Sequence, residues 1–318
     1  MNALRQLLPS LLLVLCGSAG GQGFPEKPIR VLVPFAAGSG TDILARIVTD
    51  ELRTTMGTNF VIDNRAGASG QIAAELVAKA SADGYTLLLS TNTPHSANPF
   101  LFKKLNYDPV KDFAAVSRMI YYVFILVVNP NSGIRTVPEL INFIKANPGK
   151  TSYAFGNSTG QVNGAYFVSA ARLDSLPVPY KSTPPAMTDL IAGQVHYMFV
   201  DAASSQGNVR SGRLRAIAVM SDKRSGVTPD LPAVGETVPG FDTVPWAGMF
   251  APAGTPKAVI NRLNSEIVKA INKPAINQRL AELGLQPAPS TPAELDQLVK
   301  EQLVAWGRKI RDAGIQPE

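Results

Sequence analysis

The chain has 318 residues, 45% of them hydrophobic and 17% charged. That length buries about three quarters of the surface the unfolded chain exposes, and the composition is too apolar for disorder. One Cys rules out an internal disulfide or a cysteine-rich zinc module, and two His leave little for a histidine metal site, so no metal and no cofactor is expected. The net charge of +6 is dispersed, with no run longer than Lys103-Lys104 and no basic-aromatic stripe. It reads as a solvated surface with a mild pull on anions, and no nucleic-acid partner is expected.

Residues 1–23 have the build of a secretory signal peptide: Arg5 as the positive region, an apolar run from Leu7 to Leu15, then small residues from Gly17 onward. The run is far short of the ~20 residues that span a bilayer. Leu15 precedes Cys16 where a lipoprotein signal wants a small residue, so Cys16 is expected to leave with the signal rather than carry a lipid. The mature chain is expected to begin between residues 20 and 25, in the periplasm.

Ile29–Val33 is a nearly continuous apolar run closed by Pro34, which suits a strand buried on both faces. Gly38-Ser39-Gly40 turns the chain, and Thr41 or Asp42 can cap a helix whose apolar positions run from Ile43 to Leu52 and which stops at Gly57. A strand at Phe60–Ile62, a helix at Ile72–Lys79 and a strand at Tyr85–Leu89 follow, a β-α-β-α-β order that predicts parallel pairing. The middle repeats the theme. Strands are expected at Phe124–Val128, Ser152–Phe155, Val178–Tyr180, His196–Val200 and Leu214–Val219, with helices at Val137–Ala146, Val162–Ala171 and Met187–Ile191. Helices at Pro256–Ile271, Ala275–Leu283 and Thr291–Ala313 close the chain, the last carrying Trp306 on an apolar stripe with Leu295, Leu298, Leu303 and Ile310. Trp246 is expected to pack at a hinge.

Many blocks in order carry a family resemblance. They include Phe24-Pro25-Glu26-Lys27-Pro28, Val33-Pro34-Phe35-Ala36-Ala37-Gly38, Thr41-Asp42, Asp83-Gly84-Tyr85, Tyr107-Asp108-Pro109, Val178-Pro179-Tyr180-Lys181, Trp246-Ala247-Gly248 and Ala251-Pro252-Ala253-Gly254. The chain resembles the Bug receptors, the periplasmic substrate-binding proteins of the tripartite tricarboxylate transporter family. The resemblance implies an α/β, two-lobed periplasmic binding protein of the type II, Venus-flytrap kind, each lobe a mostly parallel sheet flanked by helices. It implies one lobe from residues 24–124 plus about 223–290, the other from about 125–222, and a C-terminal helix, 291–318, packed across both. The ligand implied is a small organic carboxylate or related amphipathic solute. The partner implied is a membrane permease of the tripartite type or a sensor, with the receptor a monomer.

By the same resemblance the ligand sits between the loop after the first strand and its counterpart in the second lobe. Carried onto this sequence, the contacts are Phe35, Ala37, Gly38, Ser39, Thr41 and Asp42 on one side and Asn157, Ser158, Thr159 and Asp201 on the other. The physics agrees. A glycine turn leading into a helix presents unpaired amides at the positive end of the macrodipole, an anion site that needs no arginine. His95, in the loop after the third strand, is expected to reach the cleft. Asp201 could accept a ligand amine, face solvent or cap a helix. The sequence departs from the family at Ser182-Thr183-Pro184-Pro185, at Gln206-Gly207-Asn208 and at His196.

Two enzyme readings compete. Gly38-Ser39-Gly40 followed by Asp63 imitates a dinucleotide fingerprint, but Ile43 stands where the third glycine is needed. Gly156-Asn157-Ser158-Thr159-Gly160 fits the Gly-x-Ser-x-Gly pattern of serine hydrolases, which would require His95 or His196 beside Ser158. The reading adopted is a receptor with no catalytic residues.

Overall fold

The computed structural model describes residues 23–318 except residue 227. The expected signal segment and Cys16 lie outside the described residues, apart from Gly23. Strands β1 (Ile29–Val33), β2 (Phe60–Asn64) and β3 (Thr86–Thr91) pair in parallel around β1. Helix α1 (Gly40–Met56) makes the first crossover. Ser39 caps it by accepting the Asp42 amide at 3.3 Å, and Gly57 ends it at φ 64°, a left-handed angle that glycine adopts without strain. Leu44, Ile47, Val48 and Leu52 form its buried face. Helix α2 (Gln71–Ala78) makes the second crossover.

The expectation of a mostly parallel sheet needs correcting. β4 (Phe113–Tyr122), β10 (Trp246–Pro252) and β11 (Leu285–Pro287) complete this sheet in the order β11-β4-β10-β3-β1-β2, and all three of their pairings are antiparallel. The second sheet is mixed too. β5 (Phe124–Val128), β6 (Thr151–Phe155), β7 (Ser175–Pro179), β8 (Tyr197–Asp201) and β9 (Arg215–Val219) take the order β7-β6-β8-β5-β9. β6 pairs in parallel with β7 and β8, whereas β5 pairs antiparallel with β8 and β9. The reason is connectivity. β4 leads the chain out of the first sheet, β5 leads it into the second and β10 follows the return. β10 and β5 run against their βαβ neighbours β3 and β8, and β4 pairs in turn against β10.

β4 and β10 were not expected from the sequence, and neither was β11. Every residue of β10 is buried, although Gly248 and Pro252 interrupt its apolar run.

Helices α4 (Val137–Ala146), α5 (Ser158–Ala170), α6 (Thr183–Ile191) and α7 (Ala202–Arg210) flank the second sheet. The short α3 (Asn98–Leu101) follows a π-helical turn at Thr93–Ala97, and α8 (Lys257–Asn272) and α9 (Pro274–Glu282) belong with the first sheet. α10 (Pro292–Asp312) packs on β4, on the π-helical turn and on α5, so it touches both halves. Trp306 is fully buried on it with Ala97, Val162 and Ile310.

One residue separates β4 from β5. Val123 donates its amide to Gly284 O and its carbonyl accepts from Ala202 N, each at 2.9 Å, so the crossing is pinned on both sides. Trp246 sits beside it, since Tyr122 N donates to Pro245 O at 2.8 Å. Its ring faces His95 and Phe250 within the first lobe.

Candidate functional site

The loop between β1 and α1 is held from behind by Asp42. This residue is buried, and its carboxylate accepts from the Gly38 amide at 3.0 Å, from Arg46 Nε at 3.0 Å and from Asn64 Nδ2 at 3.1 Å. Burial works against ionisation of Asp42, but these hydrogen bonds, Arg46 foremost, outweigh it and hold the carboxyl below its ordinary range. With Gly38 engaged and the Asp42 amide on Ser39, the amides of Gly40 and Thr41 are the first-turn donors without an intrahelical acceptor.

Its counterpart follows β6. Asn157 caps α5 by accepting the Gly160 amide at 2.9 Å, leaving the Ser158 and Thr159 amides as unmatched first-turn donors. The two loops meet a third, after β3. There Asn92 Nδ2 donates to Thr159 Oγ1 at 3.0 Å, and the hydroxyls of Thr93 and Ser158 are 2.8 Å apart. Ala36 N donates to Ser182 Oγ at 3.1 Å. Hydrogen bonds therefore span the cleft directly.

Between these contacts lies a small cavity. The first sheet contributes Phe35, Ser39, Gly40 and Thr41, with Thr91, Asn92 and Thr93 from the end of β3 and the turn after it. The second contributes Asn157, Thr159, Thr183 and Asp201, and the crossing contributes Tyr122 and Phe124. The starts of α1, α5 and α6 face this space, so three positive helix ends converge on it.

No Lys, Arg or His is part of that wall. Asp201 is its one charged side chain; it ends β8, caps α7 and accepts the Ser204 amide on Oδ1 at 2.8 Å. Burial pushes its pKa up, against the opposing pull of the Ser204 hydrogen bonds. Tyr122 OH lies 2.9 Å from Thr41 Oγ1, and burial raises its pKa well above the ordinary phenol range.

A sequence model described as the tripartite tricarboxylate transporter family receptor matches residues 44–315. The chain belongs to this receptor family. It is 32% identical over 295 residues to the protein BugT of Bordetella pertussis, covering 92% of this chain and 90% of that one. Two solved structures share the architecture closely. The Rhodopseudomonas palustris protein Rpa4515, solved with adipate, superposes with a TM-score of 0.91 at 31% identity, covering 93% of this chain and 100% of that one. MatC of Rhodopseudomonas palustris, with bound malate, gives 0.84 at 31% identity, covering 90% and 100%.

In this receptor Phe35, Ser39, Thr41, Asn157, Thr159 and Asp201 line the cavity. Other expected contacts do not. Ala37 and Gly38 are exposed beyond its rim, and Asp42 is turned inward to brace the loop. Ser158 spends its hydroxyl on Thr93. His95 is fully buried, not in the cleft. The π-helical turn, tied down by Tyr107 OH donating to Pro94 O at 2.8 Å, directs its ring onto Phe250 at 4.0 Å between centroids, and its Nδ1 pairs with Ser90 Oγ at 2.7 Å. His196 Nδ1 pairs with Ser152. Neither histidine bonds Ser158, so the hydrolase constellation does not form. Asp63 is engaged by Arg30 and Arg65 rather than open to a ribose.

Sequence reasoning placed Gly40 in the ligand loop without naming it as a contact, and left out Thr91, Asn92, Thr93, Tyr122, Phe124 and Thr183. The loop after β3 was expected at the cleft, but the end of β3 and the next two residues reach it rather than the histidine. Tyr122 and Phe124 alternate with Val123 at the crossing, a position visible only once β4 is known.

Proposed function

We propose that this receptor binds a small organic carboxylate between its two lobes, in the periplasm, and hands it to a membrane permease or a sensor. The observation that carries the reading is the pair of helix starts, α1 and α5, facing one cavity that holds no basic side chain. Backbone amides and helix dipoles are then the anion-binding groups. The adipate and malate bound by two relatives of the same fold support this ligand class. Residues 24–124 with about 223–290, and about 125–222, are the bodies we take to close on the ligand as a monomer, with ligand shifting the open–closed balance. No helix among the described residues is long and apolar enough to cross a membrane, which fits a receptor released after export.

Thermal unfolding against a panel of mono-, di- and tricarboxylates, amino acids and aromatic acids tests the reading. Ligand at 100 times its dissociation constant adds about 2.7 kcal/mol, a shift of several degrees for a chain of this size. A selective shift by one carboxylate group is expected. Silence across the panel, with mass spectrometry of the denatured protein finding no co-purified acid, would overturn it.

A further inference from the structure

We propose that Asp201 makes this a receptor for carboxylates bearing a protonated amine on the carbon next to the carboxylate, with the ammonium held by Asp201. The inference rests on the carboxylate reading and adds the ligand's second group.

Asp201 is 4% exposed, yet its side chain forms part of the cavity wall. The wall contains no cation to balance it. A buried carboxylate opposed only by helix ends and a cap hydrogen bond stays costly to ionise, and a ligand ammonium removes that cost. Asp201 also caps α7, a role that asparagine or serine would fill as well without placing a carboxylate on the cavity wall. The same wall carries Phe35, Tyr122 and Phe124, and aromatic faces attract an ammonium further.

Position fixes the ligand's geometry. Asp201 stands directly against Gly40, the first residue of α1, whose amide is one of the anion donors. A carboxylate on α1 and an ammonium on Asp201 must therefore be close neighbours on one molecule, as in a 2-amino acid. A diacid would set its second carboxylate against the one acidic group of the wall.

Matched pairs that differ only in the amine test this by calorimetric titration: aspartate with succinate, glutamate with glutarate, phenylalanine with 3-phenylpropanoate. The protein and its Asp201→Asn variant are compared, since asparagine preserves the cap on α7. In at least one pair the amino acid should bind tenfold or more tightly than its partner. Asp201→Asn should cut that affinity tenfold or more while leaving the amine-free partner at or above its original affinity. Tighter binding of the amine-free member, or equal losses for both in a variant with an intact thermal transition, would overturn the inference. So would selective binding of an amine-free acid from the wider panel with all three pairs silent, and the receptor reading would then survive. Silence of every carboxylate would remove both.

Discussion

Gly40 begins α1 and Asp201 ends β8 on opposite sides of the cleft, and they leave no room for a side chain between them. A β-carbon built on Gly40 lies 2.8 Å from Asp201 Cγ and 3.3 Å from Tyr122 Cε1. The glycine is required here by close approach, since its backbone is ordinary helix. A methyl group here would force Asp201 or Tyr122 to shift.

Gly40→Ala should therefore act on closure more than on folding. Overpacking of this kind costs about 1–3 kcal/mol, and here the cost falls on the closed arrangement alone. Ligand affinity should drop about 5- to 150-fold. Small-angle scattering with saturating ligand should show a larger radius of gyration than the parent. A variant that stays as compact and binds as tightly would show that the lobes close without this contact.

Asp42 supports the site without touching it. Asp42→Ala leaves the Gly38 amide, Asn64 and Arg46 without their acceptor, at a cost of about 1–3 kcal/mol. Thermal unfolding at neutral pH should show it. Because the folded pKa lies below the ordinary value of 3.8, the stabilisation is present above that value and fades as pH falls through the folded pKa. The gap in midpoint between parent and variant should accordingly narrow in acid. A gap constant down to the acid limit would mean the carboxylate's charge is not what holds the loop.

His95 makes the opposite kind of test, because its charge is excluded. Burial lowers its pKa from 6.5 to about 3. The unfolded chain takes up a proton between those values and the folded protein does not, so its contribution to stability falls as pH drops from 6.5 toward 3. The slope reaches at most about 1.4 kcal/mol per pH unit for one proton. His95→Phe removes the titration but leaves Ser90 Oγ unpaired. Denaturant unfolding from pH 7.5 to 4.5 should find the parent losing stability faster than the variant. His196, whose pKa burial also lowers, is common to both proteins. Parallel curves would contradict a neutral, buried His95.

The βαβ units were legible because they are local. Apolar runs of strand length alternate with helical periodicity, and Gly57 ends α1 where expected, although the cap falls on Ser39 rather than Thr41 or Asp42 and α5 begins at Ser158 rather than Val162. β4 was missed although it spans ten residues, because Ser117, Arg118 and two tyrosines break its apolar pattern. These groups are satisfied from afar: Ser117 Oγ donates to Ser290 O at 2.9 Å, and Arg118 Nε donates to Ala288 O at 2.8 Å. A strand whose polar atoms find partners some 170 residues away leaves little short-range signal.

The sequence by itself determined the α/β class, the family and the two glycine-bearing turns, since each depends on residues within a few positions of one another. Which residues meet in the cavity was decided only by tertiary structure. Asp42 was drawn into bracing its loop by Arg46 and Asn64, and His95 was turned into an aromatic core by the π-helical turn. Asp201 was carried to the start of α1 by the pinned crossing at Val123 and the packing of two sheets. Side-chain direction depends also on partners distant in sequence, such as Asn64 for Asp42, Phe250 for His95 and Gly40 for Asp201, and a linear pattern holds no record of them.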